Sequence, residues 1–168
     1  ISRSYFKLWE IFFNFNLFKN NKNKSYSFSH LAEGPGGFME ATYNYMNHMD
    51  IKNNKYYGIT LKPSNDHVPD WNKIKKVFND CENININYGN LYKIKDVLKY
   101  LKNFTKKKAD LVTADGGFDY SNDFNGQEIN SSKIIYSEIA IALNILEEKG
   151  SFIVKIFDMF SLTTVQLI

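Results

Sequence analysis

The 168-residue sequence is poor in the residues that build several common kinds of protein. Its single cysteine, Cys81, excludes a framework of disulfide bonds and a zinc site built from cysteines. No apolar run reaches about 18 residues, so we expect no membrane-spanning helix. The beginning of the chain also lacks the cleavage site of a signal peptide. Because 43% of the residues are hydrophobic, we expect one compact domain around an apolar core.

Arginine is almost absent, since Arg3 is the only one and lysine supplies the remaining positive charge. The net charge of +3 would suit a polyanionic partner such as a nucleic acid. However, Asn, Lys, Ile, Tyr and Phe are abundant together, and codon bias in an AT-rich genome produces the same composition. The run Lys106 to Lys108 is typical of an ordinary solvent-exposed loop. Charge alone therefore does not identify a partner.

Strand-like and helix-like segments alternate along the chain. The predicted strands cover residues 25–32, 55–61, 84–88, 109–114 and 151–157. The predicted helices cover the N-terminal segment and residues 38–49, 70–79, 93–104 and 130–148. This alternation predicts an α/β domain, a mostly parallel sheet with helices on both faces. Such sheets bind ligands beyond the carboxyl ends of their strands, so we expect the chemistry there.

A glycine-rich loop follows the first predicted strand and opens a helix. The loop, residues 33–38, has the sequence Glu-Gly-Pro-Gly-Gly-Phe, and glycine lets the backbone turn sharply and a ligand approach closely. It is not a dinucleotide-binding fingerprint, because Met39 stands where a third glycine belongs. The end of the second predicted strand also lacks the acid that binds a ribose, since Thr60-Leu61-Lys62 stands there. The loop predicts a cofactor without a pyrophosphate.

A lysine interrupts the last predicted strand, which is otherwise apolar. An unpaired ammonium in a buried strand costs several kcal/mol, so Lys155 is expected to have a carboxylate partner. Asp115 directly follows the preceding predicted strand, and consecutive strands usually lie side by side. We therefore predict a Lys155–Asp115 ion pair beside the glycine loop. The alternative is that Lys155 reaches solvent from the end of its strand.

The histidines predict no metal site. His30, His48 and His67 lack the spacing of metal ligands, and there is no other cluster that would recruit a divalent ion. Because His30 lies within the first predicted strand, we expect it to be a hydrogen-bonded core residue.

Four segments together resemble the FtsJ-like methyltransferases. Residues 31–38 resemble the cofactor motif of that family, and residues 3–11 resemble its N-terminal helix. The acidic motif corresponds to residues 115–128 and the lysine strand to residues 152–158. Asp-Gly-Gly-Phe at 115–118 is most similar to the cap-specific mRNA 2′-O-methyltransferases of eukaryotes and large DNA viruses. The ribosomal group usually has Asp-Met-Ala-Pro there.

The resemblance implies a Rossmann-like fold over residues 1–168, with the last strands of the sheet beyond Ile168. It implies methyl transfer from S-adenosylmethionine to a ribose 2′-hydroxyl near the 5′ cap of mRNA. The expected partner is capped RNA, with a capping enzyme or polymerase as a further candidate and no membrane or metal. Two alternatives stay open: a ribosomal or transfer RNA 2′-O-methyltransferase, and a catalytically inactive domain that binds RNA or a partner enzyme.

The resemblance also implies roles for individual residues. The family uses a Lys-Asp-Lys-Glu catalytic set, which corresponds here to Lys7, Asp115 and Lys155, with the glutamate expected beyond Ile168. The expected cofactor-binding residues are Gly34, Pro35, Gly36, Gly37, Phe38, Thr60, Asn90 and Asp115.

Two of these positions depart from the family pattern. Thr60 stands where many relatives place an acid for the ribose hydroxyls. Asn90 stands where an aspartate usually meets the adenine amino group, although an asparagine carbonyl also accepts hydrogen bonds. These departures keep the inactive-domain alternative open. The polar segment 120–127 is expected to face the substrate.

Overall fold

The computed structural model describes residues 2–18, 24–63, 71–78, 83–117 and 126–168. The strands are β1 Ser27–Leu31, β2 Lys55–Thr60, β3 Ile84–Tyr88, β4 Ala109–Ala114 and β5 Leu146–Val154. The helices are α1 Arg3–Phe15, α2 Gly37–His48, α3 Asn72–Val77, α4 Ile94–Leu101, α5 Gln127–Ile145 and α6 Leu162–Leu167. Among these helices, none is long and apolar enough to cross a membrane.

The five strands form one parallel sheet in the order β3-β2-β1-β4-β5. This confirms the predicted parallel sheet and the predicted pairing of β4 with β5. The strand order reverses between β1 and β4, where Leu31 is in register with Ala114. Ala114 is in turn in register with Val154 of β5. The segments that follow these three residues therefore emerge together at the switch point, where sheets of this type bind ligands.

Two hydrophobic clusters cover the two faces of the sheet, as predicted. Alternate strand residues point to opposite faces, so Leu111 belongs to one cluster and its neighbour Val112 to the other. The first cluster packs α1, α2 and α3 on the sheet through fully buried side chains such as Phe12 and Trp71. The second cluster packs α4 and α5 on the opposite face. Burying one large apolar side chain contributes about 1.5–3 kcal/mol, so both layers are well anchored.

Helix α1 is positioned by its cap and by two core residues. The Oγ of Ser2 accepts the N–H of Tyr5 at 3.4 Å, and Asn16 ends the helix in the left-handed conformation. Leu8 and Phe12, one helical turn apart, are fully buried and form the stripe that packs on the core. The first turn of α1 is thereby held at the edge of the sheet where β1 ends.

The predicted boundary between α5 and β5 is wrong. The predicted helix 130–148 ends at Ile145, and the strand starts directly at Leu146. The sequence Leu-Glu-Glu at 146–148 has good helix propensity, but Leu146 pairs with Ala109 of β4. The strand pairing therefore overrides the local preference for a helix. A bulge follows, in which Lys149 adopts a φ of 66°.

The predicted end of β5 is also wrong. The strand stops at Val154, so Lys155 lies just beyond it and not inside it. Residues 151–154 are half-buried, because β5 pairs only with β4 in the described part of the chain. The expected burial of Lys155 in a strand core is therefore incorrect. Helix α6 was not predicted; the Oγ of Ser161 caps it by accepting the N–H of Thr164.

Candidate active site

An ion pair joins the ends of β4 and β5 at the switch point. The Lys155 Nζ lies 2.7 Å from Asp115 Oδ1 and also donates to the Asp115 carbonyl at 3.1 Å. The backbone N–H of Lys155 donates to the carbonyl of Ala114, which adds one hydrogen bond to those that pair β5 with β4. The two side chains are 30% and 21% exposed, so a ligand can reach both. The predicted ion pair is confirmed, although Lys155 lies just beyond the carboxyl end of β5 and is partly exposed rather than buried.

Glu33 caps the helix that follows the glycine loop. Its Oε1 accepts the N–H of Phe38 at 2.7 Å and the N–H of Met39 at 2.9 Å. Burial raises the pKa of this carboxyl to about 8; the two amide bonds oppose the rise, and Asp115 adds to it by repulsion. Glu33 is thus held mainly uncharged at neutral pH. Its position within the loop motif was visible in the sequence, but its capping role was not predicted.

Two glycines of the loop make room for neighbouring elements. Gly36 has a φ of +106°, and a Cβ there would lie 2.0 Å from Ile74 of α3. A Cβ on Gly37 would lie 2.0 Å from the Oγ of Ser2 and 2.2 Å from the Oγ of Ser4. We expected a ligand to lie close to these two glycines, but the space beside them is occupied by other residues of the chain. As a result, the N-terminal ends of α1 and α2 meet at Gly37.

Thr60 and Asn90 lie at the same edge of the sheet. Thr60 is buried at the end of β2, and its carbonyl accepts the N–H of Gly89 at 2.8 Å. Asn90 follows β3; its Oδ1 accepts the N–H of Tyr92 at 2.8 Å, and its own N–H donates to Asp96 at 2.9 Å. Because a carbonyl oxygen has two lone pairs, Asn90 can still accept another bond. The roles of both residues in cofactor binding stay predictions.

Lys7 does not join the ion pair. Its side chain is exposed on α1, and within the described ranges no ion pair links it to Asp115 or Lys155. It lies three residues after Ser4, so it leaves the helix on the flank next to the side chain that contacts the glycine loop. Its catalytic role stays a prediction.

Glu138 is a buried carboxyl that the sequence pattern did not indicate. It lies in the middle of α5, is fully buried, and its Oε1 accepts the N–H of Gly116 at 2.9 Å. Burial raises its pKa to about 8; the Gly116 bond and the Lys155 charge oppose the rise, and Asp115 adds to it. No local motif distinguishes this glutamate from those on a solvent-exposed helix face, because its burial depends on how α5 packs.

His30 is buried in β1, as expected, with one of its two ring nitrogens bonded. Nδ1 lies 2.8 Å from the Oγ1 of Thr113. Nε2 has no hydrogen-bond partner in the part of the chain that the structure describes. Burial lowers the pKa of His30 to about 3, so the ring is neutral. Over the same residues, no group of three His, Cys, Asp or Glu side chains is arranged to hold a metal ion.

The predicted substrate-facing segment 120–127 lies largely outside the described residues, as do Phe118 and Asn125 of the acidic motif. His67 and Cys81 also lie outside them. Gln127, the first residue of α5, is described.

The switch-point site defines the class of protein. A five-stranded parallel sheet with helices on both faces, a glycine loop after β1 and an acidic group after β4 form a Rossmann-like α/β domain. The family model of the FtsJ-like methyltransferases matches residues 1–167, and the chain belongs to this family.

Curated relatives with similar sequences are named as cap-specific enzymes. The chain is 32% identical over 150 residues to the cap-specific mRNA (nucleoside-2′-O-)-methyltransferase 1 of Drosophila melanogaster, covering 84% of this chain and 18% of that protein. It is 29% identical over 140 residues to the Trypanosoma brucei brucei protein of the same name, covering 82% of this chain and 37% of that protein. It is 31% identical over 162 residues to the cap-specific mRNA (nucleoside-2′-O-)-methyltransferase 2 of Pongo abelii, covering 89% and 20%. The chain thus spans less than two fifths of the length of these relatives.

A solved structure has the same fold. The crystal structure of a protein described as a ribosomal RNA methyltransferase from Plasmodium falciparum aligns with a TM-score of 0.69 and 21% identity. The alignment covers 98% of this chain and 82% of that one. At this identity the likeness supports the fold alone, and the Rossmann-like prediction is confirmed.

Proposed function

We propose that this chain carries the catalytic site of a cap-specific mRNA 2′-O-methyltransferase that uses S-adenosylmethionine. The observation that carries the proposal is the 2.7 Å contact between Lys155 Nζ and Asp115 Oδ1 at the switch point. The relatives that are named for cap methylation supply the substrate class. A ribosomal RNA substrate has weaker support, because the neighbour so described is similar in fold only.

The residues at this edge offer polar and charged groups that suit S-adenosylmethionine. Asp115 is a partly exposed carboxylate that suits the cationic amino and sulfonium groups. Thr60 and Asn90 offer acceptors beside β2 and β3 for the ribose and the adenine. When bound, the cofactor supplies an electrophilic methyl group.

Lys155 is proposed to act on the ribose 2′-hydroxyl. Its contacts with the Asp115 carboxylate at 2.7 Å and the Asp115 carbonyl at 3.1 Å fix the Nζ in place. An ammonium beside the 2′-oxygen stabilises the negative charge that develops there as the hydroxyl gives up its proton to solvent water, which reaches this partly exposed pair. The alternative role, in which a neutral lysine accepts the proton, requires that the pair first lose its charge. The contact with Asp115 therefore favours the electrostatic role.

Lys7 is proposed to contact the RNA from the flank of α1. Its exposed ammonium lies on the flank of the helix next to the residues that contact the glycine loop, so it can reach a phosphate of a strand entering the site. Such a contact orients the ribose without carrying sequence information.

The decisive experiment measures methyl transfer from labelled S-adenosylmethionine to RNA, using the full-length protein. We expect a capped transcript to be labelled at least about tenfold more than the uncapped one, with the label on a cap-proximal ribose. We expect Lys155→Ala to lose about a hundredfold or more of the rate, the scale of a missing proton-transfer or electrostatic group.

The matched control is Lys24→Ala, which removes a lysine paired with an aspartate at the other end of the sheet. It should retain the wild-type rate. Equal labelling of capped and uncapped RNA would exclude the cap assignment. Cofactor binding without labelling of any RNA would instead support the inactive-domain alternative.

A further inference from the structure

We propose that Glu138 is a positioning residue, an uncharged carboxylic acid that fixes the Asp115–Gly116 turn and thereby presents Asp115 to Lys155. The inference deepens the proposed function, because it rests on Asp115 and Lys155 being the reactive pair.

The contact with the turn is close and direct. Glu138 Oε1 accepts the Gly116 N–H at 2.9 Å, and this amide belongs to the residue directly after Asp115. A Cβ on Gly116 would lie 2.4 Å from the same Oε1 and 2.8 Å from Ile134, so only glycine lets the turn approach α5 this closely. The contact therefore fixes the backbone that carries the Asp115 carbonyl and side chain, both of which bind the Lys155 Nζ.

The surroundings of Glu138 favour its uncharged form. The side chain is fully buried, and its Oε2 has no hydrogen-bond partner among the described residues. No cation of the described residues lies within ion-pair distance of it, since Lys155 pairs with Asp115. A buried carboxylate with one free oxygen and no counter-ion costs more than a neutral acid, whose carbonyl oxygen still binds Gly116 and whose hydroxyl on Oε2 is left unpaired but uncharged. Its raised pKa, about 8, agrees with this.

The charged groups around Glu138 make its protonation matter for the site. Asp115 after β4 and Lys155 after β5 both act on it electrostatically. Helix α6 has no charged residue, and on α4 the side chains of Lys95 and Lys99 are exposed, while Asp96 binds the N–H of Asn90. If Glu138 became charged, it would repel Asp115 and attract Lys155. Among the described residues, an uncharged Glu138 leaves Asp115 as the counter-charge of Lys155 at this turn.

The first test follows the Gly116 amide directly by NMR. Asp115–Gly116 is the only Asp-Gly pair in the sequence, so ¹³C-carbonyl aspartate with ¹⁵N-glycine selects this amide within the segment. In the full-length protein, Asp115→Asn identifies the signal by its loss. We expect the shift of the amide to titrate with a midpoint near pH 8 and to lose most of this change in Glu138→Gln, in which Glu33 is the remaining carboxyl with a pKa of about 8 that acts on Asp115. A midpoint below about pH 6, or the same titration in Glu138→Gln, would overturn the proposal.

The second test separates positioning from a merely structural role. We expect Glu138→Gln, which keeps the acceptor, to retain kcat within about threefold and to lose the decline in rate above pH 8. Glu138→Ala should lower kcat about tenfold or more with little change in KM for either substrate. Equal kcat losses in the Gln and Ala variants would contradict positioning. Glu147→Gln, an exposed carboxyl on β5, is the control that should match wild type.

The two tests also keep this inference distinct from the proposed function. If wild-type protein methylates no RNA, the proposed function fails while the Gly116 titration still decides the protonation of Glu138. If Glu138→Ala does not fold, the Gln variant and the amide titration still decide the proposal.

Discussion

Strand β4 has an ion pair between an aspartate and a lysine near each end, and the two pairs differ in their exposure and in the groups that surround them. At its amino end, Asp110 lies 3.0 Å from Lys24 and 3.7 Å from Lys107, and both lysines are nearly half exposed. Asp110 also accepts the N–H of Ser27, which ties the start of β1 to β4. At its carboxyl end, Asp115 holds one lysine, Lys155, at 2.7 Å.

The carboxyl end is distinguished by what surrounds the pair. Two further carboxyls, Glu33 and Glu138, act on Asp115 from the glycine loop and from α5, and burial raises the pKa of each to about 8. Of these three carboxyls, Asp115 is the one that lies in ion-pair contact with Lys155. Exposed pairs such as those of Asp110 contribute about 0–1 kcal/mol and are common on surfaces. A cluster of buried acids around one accessible pair is instead typical of functional sites.

The largest expected difference between the two ends is in catalysis. Asp115→Asn removes the counter-charge of Lys155 and should lower methyl transfer by about a hundredfold or more, because the ammonium loses its fixed position. Asp110→Asn at the opposite end should leave the rate within about twofold. The measurement is single-turnover transfer to capped RNA. Similar losses in both variants would show that the effect arises from folding and not from the site.

The next difference concerns the glycine loop. Gly37→Ala places a Cβ 2.0 Å from Ser2 Oγ and should displace the start of α1, costing about 1–3 kcal/mol of stability and weakening cofactor binding at least about tenfold. Gly150→Ala meets the backbone carbonyl of Glu147 at 2.9 Å, at the amino end of the sheet. It should lower stability while leaving cofactor affinity unchanged. Calorimetric titration with S-adenosylmethionine, beside urea unfolding, distinguishes the two variants.

A smaller effect is expected in the pH dependence of stability. The pKa of the Glu33 carboxyl is about 8 in the folded chain, against an ordinary value of 4.5 for the unfolded chain. Between these two pH values the folded state binds more protons than the unfolded state, so the free energy of unfolding falls as the pH rises. Glu33→Gln should flatten this slope by about 1.4 kcal/mol per pH unit. Urea unfolding is measured from pH 6.5 to 8, because the lowered pKa of His30 makes the free energy of unfolding depend on pH only below about 6.5. An unchanged slope would refute the buried neutral acid; Glu147→Gln is the control.

The smallest effect belongs to the amino-end pair itself. Lys107→Ala removes an exposed partner at 3.7 Å and should change the free energy of unfolding by less than about 0.5 kcal/mol, because solvent screens the pair. Urea unfolding at low and high salt checks this. A loss of more than about 1 kcal/mol in the free energy of unfolding would contradict the view that the ion pairs at the amino end of β4 are weak surface contacts.

The sequence was sufficient for the features that depend on local pattern and strand order. The alternation of strands and helices predicted the parallel sheet, and adjacency of β4 and β5 predicted that Lys155 would meet Asp115. The first follows from the layered architecture of α/β domains, and the second from the tendency of consecutive strands to lie side by side, which holds roughly two-thirds of the time. The glycine loop was placed correctly after β1.

The features that were missed depend on contacts between distant residues. Glu138 lies 22 positions from Gly116, and its burial follows from the packing of α5 on the sheet. The start of β5 at Leu146 follows from pairing with Ala109, against the helix propensity of the segment. The end of β5 at Val154 likewise follows from its pairing with β4, in which Val154 is in register with Ala114, the last residue of that strand. Local pattern contains none of this information.

The contact between α1 and the glycine loop links two binding events. Ser2 and Ser4 fill the space above Gly37, while Lys7, on the next turn of the same helix, is exposed to solvent. On the proposed function, a ligand that shifts the loop would also move the helix, and an RNA strand bound at Lys7 would act on the loop through the same helix. By thermodynamic reciprocity, each ligand then changes the affinity of the other by the same factor. On the proposed function, helix α1 would therefore make cofactor and RNA heterotropic effectors of one another.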